Sequence, residues 1–114
     1  MMTRIYVNVT CDLFHYGHVS FFKKARQFGD YLMVGVHSDE DVAAMKWPPV
    51  LNLNERLAVI ECCNLVNEVL PYAPYVTTAN FIKHHQIDLV VVTKAYSKEV
   101  LNRYYNDPQK MNIL

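Results

Sequence analysis

Arg4-Ile5-Tyr6-Val7-Asn8-Val9-Thr10, then Cys11-Asp12-Leu13-Phe14-His15-Tyr16-Gly17-His18, then Val19 to Phe28, form one continuous stretch whose reading decides the fold. The first seven residues are mostly apolar and β-branched, which predicts a buried strand. The next eight read as a loop. Val19, Phe22, Ala25 and Phe28 then recur at helical spacing, with Lys23, Lys24 and Arg26 on other faces, so a helix is predicted over 19–28. Gly29 suits the position just past such a helix. Tyr31-Leu32-Met33-Val34-Gly35-Val36 is a second apolar run without polar alternation. Such runs belong to strands covered on both faces, as in parallel sheets.

The pattern continues outward from this unit. Ser38, with Asp41 three residues on, has the form of a capping box for a helix over 39–45, and Pro48-Pro49 forbids its continuation. Asn54 is the predicted N-cap of a helix over 55–64, with Leu57, Ile60 and Cys63 facing inward. Glu68-Val69-Leu70 is a short third strand, and Thr78 caps a helix over 79–85. Asp88-Leu89-Val90-Val91-Val92 is a fourth strand, Lys98 to Tyr105 a helix that Asp107-Pro108 ends, and Asn112-Ile113-Leu114 the start of a fifth strand. Strands alternating with helices imply right-handed crossovers and a parallel, three-layer α/β sheet of about five strands. Ligands of such sheets bind at the carboxyl ends of the strands, where the winding reverses.

Size and composition bound the rest. The 114 residues fit one domain, spanning 1–114, that can bury roughly two-thirds of its unfolded surface. Hydrophobic residues are 52% and charged residues 19%, which excludes a disordered chain. Eleven Lys and Arg balance eleven Asp and Glu, which argues against a nucleic-acid-coating protein while leaving room for a local phosphate site. No apolar run approaches the roughly 18–20 residues that span a bilayer. Met1-Met2-Thr3-Arg4-Ile5 leads straight into strand-like sequence, so no signal peptide is expected. Cys11, Cys62 and Cys63 are an odd set without CxxC spacing, and they read as reduced thiols of a cytoplasmic protein.

The chemistry concentrates in His15-Tyr16-Gly17-His18, where the helix begins. A helix N-terminus favours phosphate through its N–H groups and positive partial charge. Gly17, without a Cβ, lets a ligand approach the backbone. Two imidazoles three residues apart can share one side of the first turn and donate to oxygens that gain charge in phosphoryl or nucleotidyl transfer. The bland alternative is a pair of polar loop histidines. A zinc site would need Cys11 and Asp12 as further ligands, and that spacing matches no zinc pattern. His37, at the end of the second strand, lies beside the expected cleft, whereas His84-His85 reads as a solvent-facing pair.

Asp12-Leu13-Phe14-His15-Tyr16-Gly17-His18 resembles the HxGH signature of the cytidylyltransferases, within the wider nucleotidyltransferase superfamily. The likeness runs on through Gly29-Asp30-Tyr31 to Glu40, Lys46-Trp47-Pro48-Pro49-Val50, Asn54-Glu55-Arg56 and Ala73-Pro74-Tyr75-Val76-Thr77-Thr78. It is strongest toward the ethanolamine-phosphate branch, with the choline-phosphate and glycerol-3-phosphate branches behind. The resemblance implies a Rossmann-like three-layer α/β/α fold, transfer of CMP from CTP to a phosphorylated amino alcohol with release of pyrophosphate, a magnesium requirement and a homodimer. Carried over by position, His15, His18 and Lys46 would be catalytic. Thr10, Cys11, Tyr16, Gly17, Arg56 and Lys94 would contact the nucleotide. Asp12, Tyr75 and Tyr96 would lie on the acceptor side. No protein metal ligands are implied.

The sequence departs from that family at four places. Val9 stands where the family usually has glycine, and Cys11 where it has phenylalanine. Thr93-Lys94-Ala95-Tyr96 replaces a Gly-Asp or His-Asp type sequence. A second signature, of Arg-Thr-x-Gly-Ile-Ser-Thr-Thr type, is expected after Asn112-Ile113-Leu114 and is not in the sequence. Two rival functions therefore stand beside the transferase: a non-catalytic nucleotide-binding or dimer-partner module, and an adenylyltransferase of the same superfamily.

Overall fold

The computed structural model describes residues 3–45, 48–92 and 97–113. Four strands, β1 (Arg4–Val9), β2 (Tyr31–Val36), β3 (Glu68–Pro71) and β4 (Leu89–Val90), form one sheet in the order β3-β2-β1-β4. Every pairing is parallel, with Ile5 opposite Leu32 on one side and Leu89 on the other. The chain winds from β1 outward to β3 and then returns to the far side of β1. The reversal of winding therefore lies beside β1.

Side chains of the strands alternate between two cores. Ile5 and Val7 with Leu32, Val34 and Val36 face α1 (Tyr16–Arg26) and α3 (Leu53–Glu61), meeting Phe22, Ala25, Leu53 and Ile60. Tyr6, Met33 and Val90 face the opposite side and meet Ile82 of α4 (Ala79–His84), together with Tyr105. Both faces of the sheet are covered, which is why the strands read as unbroken apolar runs. The expected three-layer architecture is present.

Gly35 in β2 has a packing reason. A Cβ there would stand 2.2 Å from Tyr6 Oη and 2.7 Å from Ala73 Cβ. Tyr6 is fully buried, and its hydroxyl has no hydrogen-bond partner. Gly35→Ala is expected to cost about 1–3 kcal/mol by overpacking. Tyr6→Phe in the same chain should recover only part of that loss, because it removes Oη, an unsatisfied buried atom, but leaves the ring carbon Cζ at 2.8 Å and Ala73 Cβ at 2.7 Å. Urea unfolding of the two single variants and the double variant checks this.

Five local expectations are corrected. First, α1 begins at Tyr16, with His15 as its N-cap, rather than at Val19. Second, Gly29 is not a left-handed terminator, since no glycine has positive φ. Its missing Cβ would instead collide with Ile5 Cδ1 at 2.7 Å and Thr3 O at 2.8 Å. Third, α3 is capped by Asn52, not Asn54. Asn52 Oδ1 accepts from Glu55 N at 2.9 Å, and Glu55 Oε1 accepts from Asn52 N at 3.0 Å. Three residues after Asn54 comes Leu57, which offers no such reciprocal acceptor.

Fourth, α5 (Lys98–Tyr104) is followed by a further short helix, α6 (Asn106–Lys110), which holds Pro108 in its first turn, where proline is tolerated. Fifth, the sheet has four strands rather than five among the described residues. Ile113 O accepts from Val90 N at 2.8 Å, so the segment touches the edge of β4. Ile113 N, however, is bonded back to Pro108 O at 3.0 Å, and Asn112 has φ 59°, so no ladder propagates. The Ser38 and Thr78 caps are formed as expected, on Asp41 N at 3.1 Å and Phe81 N at 3.2 Å.

Candidate active site

The segment between β1 and α1 is a strained, tightly held turn. Cys11 and Leu13 adopt φ values of 54° and 60°, a left-handed region that non-glycine residues rarely enter. Asp12, between them, accepts from Val50 N through Oδ2 and from Leu51 N through Oδ1, both at 2.8 Å. Arg56 of α3 works from the other side. Its Nη1 donates to Thr10 O at 2.9 Å, its Nε to Leu51 O at 3.2 Å, and its Nη2 to Asp39 Oδ1 at 2.7 Å. Asp39 is the first residue of α2 (Asp39–Met45). Leu51 is thus gripped at both its N–H and its C=O, and the turn is tied to the α2–α3 connection.

The turn delivers the two imidazoles into the start of α1. His15 Nδ1 accepts from Gly17 N at 2.9 Å, and His18 Nδ1 accepts from His15 N at 3.2 Å. The ring centroids are 4.3 Å apart, and His18 also stacks on Phe14. Because both Nδ1 atoms accept, each neutral ring carries its proton on Nε2. Burial, and then the neighbouring His15, lower the His18 pKa, which favours that neutral form.

The structure revises the expected part played by the backbone here. A Cβ at Gly17 would lie 2.6 Å from His15 Cε1, so this glycine makes room for the imidazole rather than for a ligand. His18 N and Val19 N both donate to His15 O, so the helix N–H groups at 17, 18 and 19 already have partners. Gly17→Ala is expected to leave stability nearly unchanged, since a helix-propensity gain of about 1 kcal/mol offsets a displaced cap of similar worth. Any activity that depends on His15 should fall at least tenfold. Thermal melts read beside rate measurements test the pair of outcomes.

The imidazoles open onto a cleft of about 700 Å³ at the carboxyl ends of β1 and β4. Thr10, Cys11, Asp12, His15, His18 and Tyr75 all line it. Val9 lines it too while packing on the core. His37 joins the same wall: its Nδ1 donates to Ala73 O at 2.9 Å, and its ring stacks on Tyr75 at 3.8 Å, 9° from parallel. The Tyr75 hydroxyl is enclosed without a partner at hydrogen-bonding distance. Burial pushes the Cys11 thiol up to about 12, against the pull of Arg56, so Cys11 is filler and not a thiolate.

Other expected site residues fall elsewhere. Tyr16 is 83% exposed, outside the cleft lining. Arg56 is fully buried and engaged by three partners, so its charge supports the turn rather than meeting a phosphate. Lys46, Lys94 and Tyr96 lie outside the described residues. His84 is exposed, and His85 is half-buried against Phe81. Sequence reasoning missed Asn8, Tyr104 and Tyr105, which complete the cleft. Tyr105 Oη donates to Asn8 Oδ1 at 2.5 Å, and Asn8 Nδ2 donates to Thr77 Oγ1 at 3.4 Å. The one signal was positional, since Tyr104 and Tyr105 end a helix that follows the strand beside the reversal.

Magnesium prefers several oxygen ligands. Among the described residues no group of three or more His, Cys, Asp or Glu could hold a metal ion. Asp12, in the cleft, has both oxygens on backbone N–H groups. The described residues thus do not form a magnesium cage.

Comparison with known proteins agrees with this geometry. A cytidylyltransferase-like family model matches residues 7–109. Ethanolamine-phosphate cytidylyltransferase of Mus musculus is 42% identical over 79% of this chain and 22% of that protein. The protein of the same name from Dictyostelium discoideum is 41% identical over 77% of this chain and 24% of its own length. Choline-phosphate cytidylyltransferase A of Homo sapiens is 39% identical over 76% of this chain and 24% of that protein. The chain therefore spans about a quarter or less of the length of these relatives. The crystal structure of the lipopolysaccharide core biosynthesis protein from Thermoplasma volcanium GSS1 superposes with a TM-score of 0.78 at 22% identity, covering 99% of this chain and 91% of that one, a likeness of fold. A family match reaching from the middle of β1 to α6, on a parallel sheet whose cleft holds the paired histidines, establishes that the chain belongs to the cytidylyltransferase-like family.

Proposed function

We propose that this chain carries the nucleotidyl-transfer cleft of a CTP-dependent cytidylyltransferase whose acceptor is phosphoethanolamine. The observation that carries the reading is the pair of imidazoles with both Nδ1 atoms committed to backbone N–H groups. Two neutral N–H donors then line one cleft at the start of an 11-residue helix, where positive partial charge favours anions. A phosphate oxygen of the acceptor attacks the α-phosphorus of CTP. The bond to the bridging oxygen breaks, and pyrophosphate leaves with the electron pair. Donors fixed before the reaction stabilise the charge that gathers on the phosphoryl oxygens, which is the main protein contribution in such transfers. Lys46 and Lys94 are proposed as further phosphate contacts, and Tyr75 and Tyr96 as the acceptor wall. Magnesium is proposed to arrive with the triphosphate.

Phosphoethanolamine is favoured over phosphocholine by the relatives' names and identities, 42% against 39%. We also propose a cytoplasmic homodimer. The free thiols of Cys11, Cys62 and Cys63 suit a reducing compartment. No helix among the described residues is long and apolar enough to cross a membrane. Leu13, Tyr16 and Val50 are exposed apolar side chains on or beside the loops near the cleft, suited to a partner copy.

The test is incubation with magnesium, labelled CTP or ATP, and phosphoethanolamine, phosphocholine or glycerol phosphate. Pyrophosphate and CDP-ethanolamine are expected from CTP with phosphoethanolamine. Absence of pyrophosphate with every pair overturns the transferase. Retained CTP binding in calorimetry would then make the chain a nucleotide-binding module, and turnover with ATP alone an adenylyltransferase.

A further inference from the structure

Helix N-caps are usually Ser, Thr, Asp or Asn, whose oxygens accept at any ordinary pH. In α1 both capping acceptors are imidazole nitrogens, and they work in opposite directions. His15 Nδ1 reaches forward to Gly17 N at 2.9 Å, and His18 Nδ1 reaches back to His15 N at 3.2 Å. Neither bond survives a proton on Nδ1, because a protonated imidazole has only donors. The rings lie 4.3 Å apart, so a charge on one opposes a charge on the other. A Cβ at Gly17 would stand 2.6 Å from His15 Cε1, so the glycine leaves the ring room to make its cap bond.

We infer that His15 and His18 form a reciprocal capping pair in which each neutral imidazole positions the other's segment, so that the first turn of α1 and the fixed placement of the two cleft-lining N–H donors are lost together when a ring is protonated at Nδ1. Its catalytic meaning rests on the transferase reading, whereas the capping itself does not. The titratable groups sharing the cleft are Cys11 and Asp12 on the same turn, His37 at the end of β2, Tyr75 after β3, and Tyr104 and Tyr105 at the end of α5. Lys23, Lys24 and Arg26 stand in the last turn of α1 itself. Asp12 is the carboxylate among the cleft groups, and both its oxygens hold Val50 and Leu51.

His18 is held neutral below the ordinary histidine value of 6.5 by burial and by His15. The unfolded chain takes up the proton first as pH falls. The cap's stabilisation is therefore complete above pH 6.5 and is lost as pH drops through the lowered folded value.

Imidazole ¹⁵N spectra and amide exchange of the intact chain test this without reference to turnover. Both rings are expected as Nε2–H tautomers at pH 7.5. Protection of the His15 amide, which donates to His18 Nδ1, and of the Gly17 amide, which donates to His15 Nδ1, should fall roughly 5–30-fold as His18 takes up its proton. His18→Asn, whose oxygen can still accept from His15 N, should retain protection of the His15 amide and flatten that amide's pH dependence. His18→Leu should lose protection at every pH. An Nδ1–H tautomer in either ring, or Gly17 protection that is unmoved through the titration, overturns the inference. Correct tautomers in a chain without turnover would uphold the pair and sink only the transferase. Where turnover is present, its acid limb should coincide with the amide titration in the parent chain and shift in His18→Asn.

Discussion

Arg56→Ala is expected to lose about 2–4 kcal/mol of folding stability, from two carbonyls left without their donor and a void in place of a fully buried side chain, while the 38% exposed Asp39 carboxylate can turn to water. Arg56 is fully buried, with Asp39 at 2.7 Å and two backbone carbonyls on the remaining nitrogens. Alanine leaves Thr10 O, Leu51 O and the Asp39 carboxylate without their donor. It also withdraws the support that keeps Cys11 and Leu13 in left-handed conformations. A small domain is stable by only about 5–15 kcal/mol, so much of the folding free energy is at stake. Arg56→Lys should recover only part, because one ammonium cannot serve three divergent acceptors. Urea unfolding at neutral pH measures both variants. A loss below about 1 kcal/mol for the alanine variant would mean that the guanidinium is not the tie described here.

The largest expected effect on activity comes from His18→Ala, a fall in kcat of about 10²–10³, the range for removing one preorganised donor to a charged transition state. The backbone N–H of His15 would lose its acceptor as well, so the loss should reach the upper end of that range. KM for CTP should change far less, since the donor acts on charge that develops during transfer. Stopped assays of pyrophosphate release with CTP and phosphoethanolamine provide the measurement. Unaltered turnover in His18→Ala would remove the imidazoles from the mechanism whatever the acceptor.

The sequence made the architecture legible because both faces of the sheet are apolar. Ile5, Val7, Leu32 and Val34 face one core, Tyr6 and Met33 the other, and the result is a run of apolar residues that few structures other than a covered parallel strand produce. The paired histidines were legible as well, from their place between a strand and a helix. What stayed hidden depended on distance along the chain or on unusual chemistry. Asn8 and Tyr105 are 97 residues apart, and no local pattern joins them. Arg56 reads as a surface or phosphate-binding arginine until Asp39 and the Thr10 carbonyl surround it. Histidine is a rare N-cap, so the residue pattern alone places the start of α1 three positions too late. The Asn52–Glu55 box sat two residues before the expected cap. The fifth strand failed because Pro108 captured the N–H that a ladder would have used.

The alternation along β1 has an evolutionary consequence. Odd positions serve one layer and even positions the other, and Asn8, Val9 and Thr10 then emerge at the crevice in fixed phase. An insertion or deletion of a single residue anywhere in Arg4–Val9 would exchange inner and outer partners and rotate the crevice residues half a turn at the same time. This segment should thus admit apolar exchanges of similar volume but no change of length, and any lineage that keeps the sheet inherits the phase of its chemistry with it.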